Sequence, residues 1–432
     1  MVNLIGQYQL MPRKTARFIA AAIGLLVCGW LTLDAARVGA SRFLGDYGLR
    51  ANLPIAVDRA VSLRASDPES RYTRAIFRSG TGEFGNAAQE FEQAVALRPR
   101  DYVLWMELGL ARDQAGEVQG AIVAFREAAR LAPYYAQPRW QAGNALLRAN
   151  RYDEAFAELR QAIANDPILL PNAVDLAYGL FAGDADAVEK AIQPQTSPAR
   201  LVLARFFAKH GKADESIRLF RATSQITAEE RQGLLTELFN AKKFPEAYEV
   251  WSSGLKGDNR GGESEARTSI VDSSFEGQIR VGAPPGFGWR IERDQRTVAV
   301  SLNLRQPHSG VRSLLIEWNG DPQHSIPAIS QLILVEPGKR YKLSFWARTE
   351  ELVTAGSPIV TVSSFTADVE RLNAQSAPMV QATNEWRQYS LEFETGVNTQ
   401  AIIVAVRRET CASDPCPIFG RIWFDDFELS NS

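Results

Sequence analysis

Aromatic side chains able to bind a flat apolar ligand are concentrated in the last third of this 432-residue chain. Five tryptophans lie there: Trp289, Trp318, Trp346, Trp386 and Trp423. An aromatic ring with a polar edge suits the apolar C–H face of a pyranose, while neighbouring amides and carboxylates serve the hydroxyls. Because Trp346 and Trp386 lie inside alternating strand patterns, we expect structural roles for these two.

The remaining candidates cluster around two tryptophans. Trp289 and Trp318 have Pro, Gly and Asn neighbours, which are typical of loop edges. We therefore expect Trp289 and Trp318 to form an exposed platform for a sugar ring. Asn319, Gln323 and His324 are the polar candidates beside this platform.

Motifs for catalysis do not stand out. The sequence has no Gly-x-Ser-x-Gly elbow, no phosphate-binding glycine loop and no metal triad. Its 48 basic and 50 acidic residues give a net charge of −2, which argues against nucleic acid as a partner. We expect a non-enzymatic protein that requires no cofactor.

Two cysteines near the C-terminus are five positions apart. Cys411 and Cys416 flank Asp414 and Pro415, and a short-loop disulfide is expected if this region lies outside the cytoplasm. The alternative is a pair of reduced thiols.

The pattern around these residues is that of short strands. Past residue 268, at least eight alternating segments are separated by Pro, Gly, Asn and Asp, for example 341–348 and 386–394. Such spacing predicts an all-β sandwich of jelly-roll type over residues 269–432. A glycine-rich, charged stretch, 254–268, precedes it and is predicted to be a linker.

Landmarks in this region resemble a known family. They occur in the order SFEG (274–277), GW (288–289), HSGVRSL (308–314), EPGKRY (336–341), SFWAR (344–348) and WFDDFEL (423–429). This order is similar to carbohydrate-binding modules of the galactose-binding-like superfamily, over about residues 269–431. The resemblance implies glycan binding. It also implies a structural calcium at Glu276 and Asp425; otherwise the two are ordinary surface carboxylates.

The middle of the chain repeats every 34 residues. Alanines recur at 87, 121 and 155, and prolines at 99, 133 and 167, with small, aromatic and proline positions recurring together. This period resembles the tetratricopeptide (TPR) family, over about residues 51–253. It implies an all-α solenoid, assigned here to 41–253, that docks protein partners.

Polar residues on the first helices of the repeats are candidates for a peptide groove. These are Arg112, Arg139, Asn144 and Arg148. The alternative is that they form an ordinary solvated face.

The N-terminus begins with a basic segment, 1–17, followed by an uncharged run from Phe18 to Leu33. We assign 18–38 to a membrane-anchoring helix; a cleaved signal peptide ending near Ala40 is the alternative. The basic flank stays inside, so the bulk of the chain is expected on the periplasmic side of a bacterial inner membrane. If the helix is cleaved, the protein is secreted.

Together these features predict a cell-envelope scaffold. The solenoid would dock proteins and the sandwich would bind polysaccharide, in its assembly or export. In the alternative interpretation the sandwich is a protein-interaction or spacer module, or an accessory domain of a glycan-acting complex.

Overall fold

The computed structural model describes residues 13–254, 268–281, 286–291, 297–320, 326–366, 369–411 and 415–431. The chain divides into two compact units, Met1–Gln193 and Pro194–Ser432. The first unit is helical, and the second contains the last helices together with the sandwich. Most of the predicted linker, 255–267, lies outside the described residues, as do residues 1–12.

Helices in antiparallel pairs fill residues 13–253. They are α1 Arg13–Arg50, α2 Pro54–Leu63, α3 Pro68–Gly80, α4 Phe84–Leu97, α5 Tyr102–Gln114, α6 Val118–Leu131, α7 Ala136–Arg148, α8 Tyr152–Asn165, α9 Leu170–Leu180, α10 Ala185–Ile192, α11 Ser197–Lys209, α12 Ala213–Arg221, α13 Ala228–Asn240 and α14 Phe244–Ser253. The predicted solenoid is confirmed.

The small residues of the repeat lie where two helices touch. A Cβ built on Gly109 of α5 would come within 2.5 Å of the Phe125 ring of α6. In the next repeat, a Cβ on Gly143 would come within 2.7 Å of Leu159. A glycine at this place therefore lets the first helix of each repeat approach the second helix closely. The phenylalanine or leucine of the second helix is buried as a result.

Helix α1 combines the apolar run with the start of the solenoid. From Arg17 to Arg50 it is long and apolar enough to cross a membrane, with a mean hydropathy of 1.9 in its most apolar stretch. Its C-terminal part packs instead on α2 and α3, where Ser41 is buried and its Oγ donates to the Ala60 carbonyl at 2.6 Å. Asp34 pairs with Arg64 of α2. The apolar segment therefore passes into the solenoid without a break in the helix.

Two sheets form the sandwich. Its strands are β1 Arg280–Val281, β2 Arg290–Ile291, β3 Val298–Asn303, β4 Ser313–Asn319, β5 Ile329–Leu334, β6 Arg340–Thr354, β7 Pro358–Thr366, β8 Val369–Gln375, β9 Ala382–Glu394, β10 Ala401–Arg408 and β11 Ile418–Asn431. The six-stranded sheet has the order β1-β2-β5-β10-β7-β8 and the five-stranded sheet has the order β3-β4-β11-β6-β9. Apart from the short parallel β1–β2 pair, the pairings described are antiparallel. The predicted sandwich is confirmed.

The last helical pair touches the sandwich through one aromatic side chain. Phe287 is 1% exposed, and its ring lies 5.4 Å from Phe239, 5.1 Å from Tyr248 and 5.7 Å from Trp251, all on α13 and α14. This contact places α13 and α14 with the sandwich.

Candidate functional site

The two tryptophans predicted to form an exposed platform lie in the core. Trp289 is 6% exposed and Trp318 is 2% exposed. Trp289 packs on Phe275 and Phe427, and its Nε1 donates to the Asp272 carbonyl at 3.1 Å. Trp318 shares the inward phase of Leu314 and Ile316 on β4. The expectation of a Trp289–Trp318 platform is therefore wrong, because strand alternation and core packing bury both rings.

Only one of the three polar candidates beside that platform is among the described residues. Asn319 is exposed at the end of β4. Gln323 and His324 lie outside the described residues.

The outer face of the five-stranded sheet has the other three tryptophans. Trp423 of β11 pairs in register with Arg348 of β6, whose guanidinium lies 5.0 Å from the Trp423 ring centre. Trp346 lies two residues before Arg348, and Trp386 is on the neighbouring edge strand β9. We call Trp346, Trp386 and Trp423 the tryptophan face.

A loop residue joins two of these rings. His308 stacks on Trp346, with ring centres 4.0 Å apart and planes 18° apart, and meets Trp386 edge-on at 5.7 Å. Trp386 Nε1 donates to the Gln306 carbonyl at 3.1 Å. Trp346 and Trp386 are half-buried, and His308 is 27% exposed. Aromatic edges and a polar imidazole therefore reach the surface together.

Two adjacent aspartates of β11 hold this loop. Asp425 is fully buried, and its Oδ2 accepts from the backbone N–H groups of His308 at 2.9 Å and Ser309 at 3.2 Å. Asp426 Oδ2 lies 2.6 Å from His308 Nδ1, and its Oδ1 accepts from Ser309 Oγ at 2.5 Å. Burial raises the pKa of Asp425 to about 6, because it disfavours the charged carboxylate.

The calcium prediction also concerns this loop. Glu276 Oε1 accepts from the backbone N–H groups of Val311 at 2.6 Å and Arg312 at 3.0 Å. These bonds lower the pKa of Glu276. In the described ranges, His, Cys, Asp and Glu side chains form no group of three or more suited to a metal. A calcium ion would thus need backbone carbonyl ligands as well as Glu276 and Asp425, and it stays a prediction.

The outer face of the six-stranded sheet differs in chemistry. Its central positions are small or hydroxylated: Thr361 and Ser363 on β7 are each 3% exposed, and Ala405 on β10 is 1% exposed. Leu332, Ile403 and Arg407 lie around them. Among the described side chains of these strands there is no tryptophan or tyrosine on this face.

The predicted groove arginines are used inside the solenoid. Arg112 pairs with Glu92, Arg139 Nη1 lies 2.9 Å from Glu158 Oε2, and Arg148 Nη2 lies 2.6 Å from Asp113 Oδ2. Each pair joins different helices. The three arginines therefore stabilise the packing of one helix on another. Asn144 is half-buried on α7 and has no such ion pair among the described residues.

The two C-terminal cysteines are joined. The structure links Cys411 to Cys416 in a disulfide. The buried Arg408 guanidinium lies beside it and donates to the Cys416 carbonyl at 2.8 Å. Arg408, the last residue of β10, is thereby hydrogen-bonded to Cys416, two residues before β11 begins.

Comparison with known families agrees with this division. Residues 268–413 match a family model described as a carbohydrate binding domain, and residues 72–136 match one described as a tetratricopeptide repeat. The helical region thus contains a match to the TPR family, and the sandwich matches the carbohydrate-binding kind of domain. Both are non-catalytic kinds of domain. No curated protein matches the chain.

Several solved structures are similar. One, described as "CBM4 structure and function", is 17% identical and covers 38% of this chain and 100% of its own, with a TM-score of 0.29. The CBM22-1–GH10 modules of Clostridium thermocellum xylanase 10B, complexed with xylohexaose, are 14% identical, with a TM-score of 0.27; the match covers 38% of this chain and 28% of that one. MamA from Desulfovibrio magneticus RS-1 is 16% identical, with a TM-score of 0.32; the match covers 44% of this chain and 98% of that one. At these scores they add no argument about function.

Alternation led us to expect structural roles for Trp346 and Trp386, yet the same alternation contains the signal that both rings point outward. On β6, Tyr341, Leu343 and Phe345 point inward, so Trp346 is out of phase with the core. The same holds for Trp386 relative to Tyr389 on β9. The role of His308 had no comparable signal, because its place depends on Asp425 and Asp426 more than a hundred residues away.

Proposed function

We propose that this protein is a membrane-anchored, non-enzymatic scaffold of the bacterial cell envelope. Its helical repeats bind a protein partner, and its sandwich binds a glycan through the tryptophan face. The matches to a tetratricopeptide repeat and a carbohydrate binding domain support the two general activities. A role on the periplasmic side in the assembly or export of polysaccharide follows from combining them with an N-terminal anchor.

The tryptophan face is the observation on which the glycan site rests. Trp346 and Trp386 lie on the neighbouring strands β6 and β9 and both contact His308, so their rings form one patch. Trp423 of β11 is only 6% exposed and lies beneath Arg348, as a buried neighbour of this patch. Rings with polar edges suit a sugar, which has an apolar C–H face and a rim of hydroxyls. His308, Arg348 and Gln306 surround the rings and provide donors and acceptors for those hydroxyls.

The course of α1 supports the anchor over a cleaved signal peptide. Cleavage after Ala40 would cut a continuous helix immediately before Ser41, whose side chain is buried against Ala60 and Ser70. It would also remove Asp34, the partner of Arg64. Sequencing the N-terminus of the protein isolated from cells tests this: a chain that begins at Ser41 contradicts the anchor.

The glycan site is tested with full-length protein in lipid nanodiscs against a panel of polysaccharides. We expect Trp386→Ala to weaken binding at least about tenfold, since stacking on an aromatic ring is lost. Leu372→Ala is the matched control, because Leu372 is 53% exposed on β8 of the other sheet. It should bind as the wild type does.

A second variant tests which sheet is used. Arg407 lies on the outer face of the six-stranded sheet. If Arg407→Ala abolishes binding and Trp386→Ala does not, the glycan uses the six-stranded sheet and the assignment to the tryptophan face is wrong. If the wild type binds no polysaccharide of the panel, the sandwich is better explained as a protein-interaction module.

A further inference from the structure

A ladder of alternating charge borders the tryptophan face. Arg421 of β11 lies between Glu317 of β4 and Glu350 of β6. Its Nε is 2.8 Å from Glu317 Oε1, and its Nη1 is 3.0 Å from Glu350 Oε1. Two of the three nitrogens of this guanidinium therefore already donate to carboxylates.

Glu350 also reaches the second arginine. Its Oε2 is 3.9 Å from Arg348 Nη2, while Arg348 Nη1 donates to Gln306 Oε1 and the guanidinium covers Trp423. Glu350 is 32% exposed and Arg348 is 16% exposed, so the carboxylate is the more accessible of the two. Glu350 thus contacts both arginines, and together with Glu317 it balances their two positive charges.

Other basic side chains around the face also lie beside acidic ones. Arg340 Nε is 3.4 Å from Glu394 Oε2 at the far end of β6 and β9. Lys342 is opposite Glu392 in the strand register. His308 Nδ1 contacts Asp426. An incoming anion would therefore meet a carboxylate next to each of these basic side chains.

We infer that Glu350 is a specificity-determining residue, which makes the tryptophan face accept uncharged sugars and reject acidic ones. This inference rests on the proposed glycan site. A uronate or a sulfated sugar needs a cation with free donors, because a charged group that leaves water without a partner is costly. Arg421 already donates to two carboxylates through Nε and Nη1, and the negative charges of Glu317 and Glu350 repel a second anion.

The test compares the wild type with Glu350→Gln, on full-length protein, using a neutral β-glucan and polygalacturonate. The wild type should bind the neutral polymer equally at low and high salt, since no ionic contact is made. Glu350→Gln should leave that binding within about twofold and raise affinity for polygalacturonate at least about tenfold at low salt, since a freed guanidinium makes a charge-assisted hydrogen bond. This gain should disappear in high salt.

Glu394→Gln is the matched control. It removes the same charge from an exposed ion pair on the same sheet, away from the three tryptophans, and should gain no binding. A wild type that binds polygalacturonate as tightly as the neutral glucan, or a Glu350→Gln variant without gain, overturns the role of Glu350. In the first case the proposed glycan site still stands. If neither polymer binds wild type or variant, both the site and the role of Glu350 fall.

Discussion

Two groups of tryptophans in one sandwich differ in what surrounds them. Trp289 and Trp318 are packed between the sheets among phenylalanine and aliphatic side chains. Trp346 and Trp386 lie on the outside of one sheet and contact His308, a loop residue. The difference shows that flanking loop residues are a poor guide to exposure, whereas the phase of a strand is a good one.

The largest effect that separates the two groups is on stability. Trp318→Ala removes a ring that is 2% exposed, and we expect the free energy of unfolding to fall by about 3–5 kcal/mol. Trp386→Ala should cost less, about 1 kcal/mol, because its side chain is only partly buried and lies outside the core. Denaturant unfolding of the two variants measures this. Equal losses would mean that Trp386 is a core residue and would remove it as a ligand contact.

A third aromatic contact extends the buried group toward the helices. Phe287→Ala should cost about 3 kcal/mol, because the ring is buried among Phe239, Tyr248 and Trp251. Hydrogen exchange should then accelerate in α13 and α14. Phe419→Ala, at a side chain 52% exposed on β11, is the control and should leave these helices unchanged. Unaltered exchange in the Phe287 variant would show that the helices and sandwich are independent, as the predicted linker 254–268 suggests.

Asp425, the buried carboxylate that holds the His308 loop, makes the stability of the protein depend on pH. The folded pKa of Asp425 is about 6, above the value of about 3.9 in an unfolded chain. The stabilisation linked to its protonation is fully present below about pH 4 and is lost as the pH rises through 6. The loss is about 2–3 kcal/mol for a shift of this size.

Asp425→Asn isolates this contribution, because it removes the titration and leaves the other groups. The wild-type free energy of unfolding minus that of the variant should be larger at pH 4.5 than at pH 7.5. A constant difference across this range would contradict the raised pKa of Asp425.

The smallest effect belongs to the solenoid surface. Arg148→Ala breaks the pair with Asp113 between α7 and α5, and Arg148 is 48% exposed. We expect a loss of less than about 1 kcal/mol, because exposed ion pairs contribute little, and the loss should shrink in high salt. If denaturant unfolding shows a loss of more than about 2 kcal/mol in the free energy of unfolding, the Arg148–Asp113 pair is a main contact between the two repeats.

Local patterns were sufficient to predict the fold. The 34-residue period determines where Gly109 and Phe125 meet, and alternation defines the strands on either side of the sandwich core. The repeat period and the strand alternation are both regular spacings along the chain, so they can be recognised in the sequence without knowledge of tertiary contacts.

The site was predicted less well, because it depends on contacts between distant segments. Arg148 pairs with Asp113 across a whole repeat, and His308 is held by Asp426 from the last strand. No local spacing reveals such partners. For this reason the sequence alone indicates a groove at these arginines and gives no sign of the place of His308.

The claim that glycan binds the tryptophan face is tested most directly by fluorine NMR on protein labelled with 5-fluorotryptophan. Signals are assigned by single Trp→Phe variants, and a polysaccharide that binds is titrated in. We predict that the Trp346 and Trp386 signals shift with the glycan, while those of Trp289 and Trp318 stay in place. Saturable binding that leaves the Trp346 and Trp386 signals unchanged would contradict it.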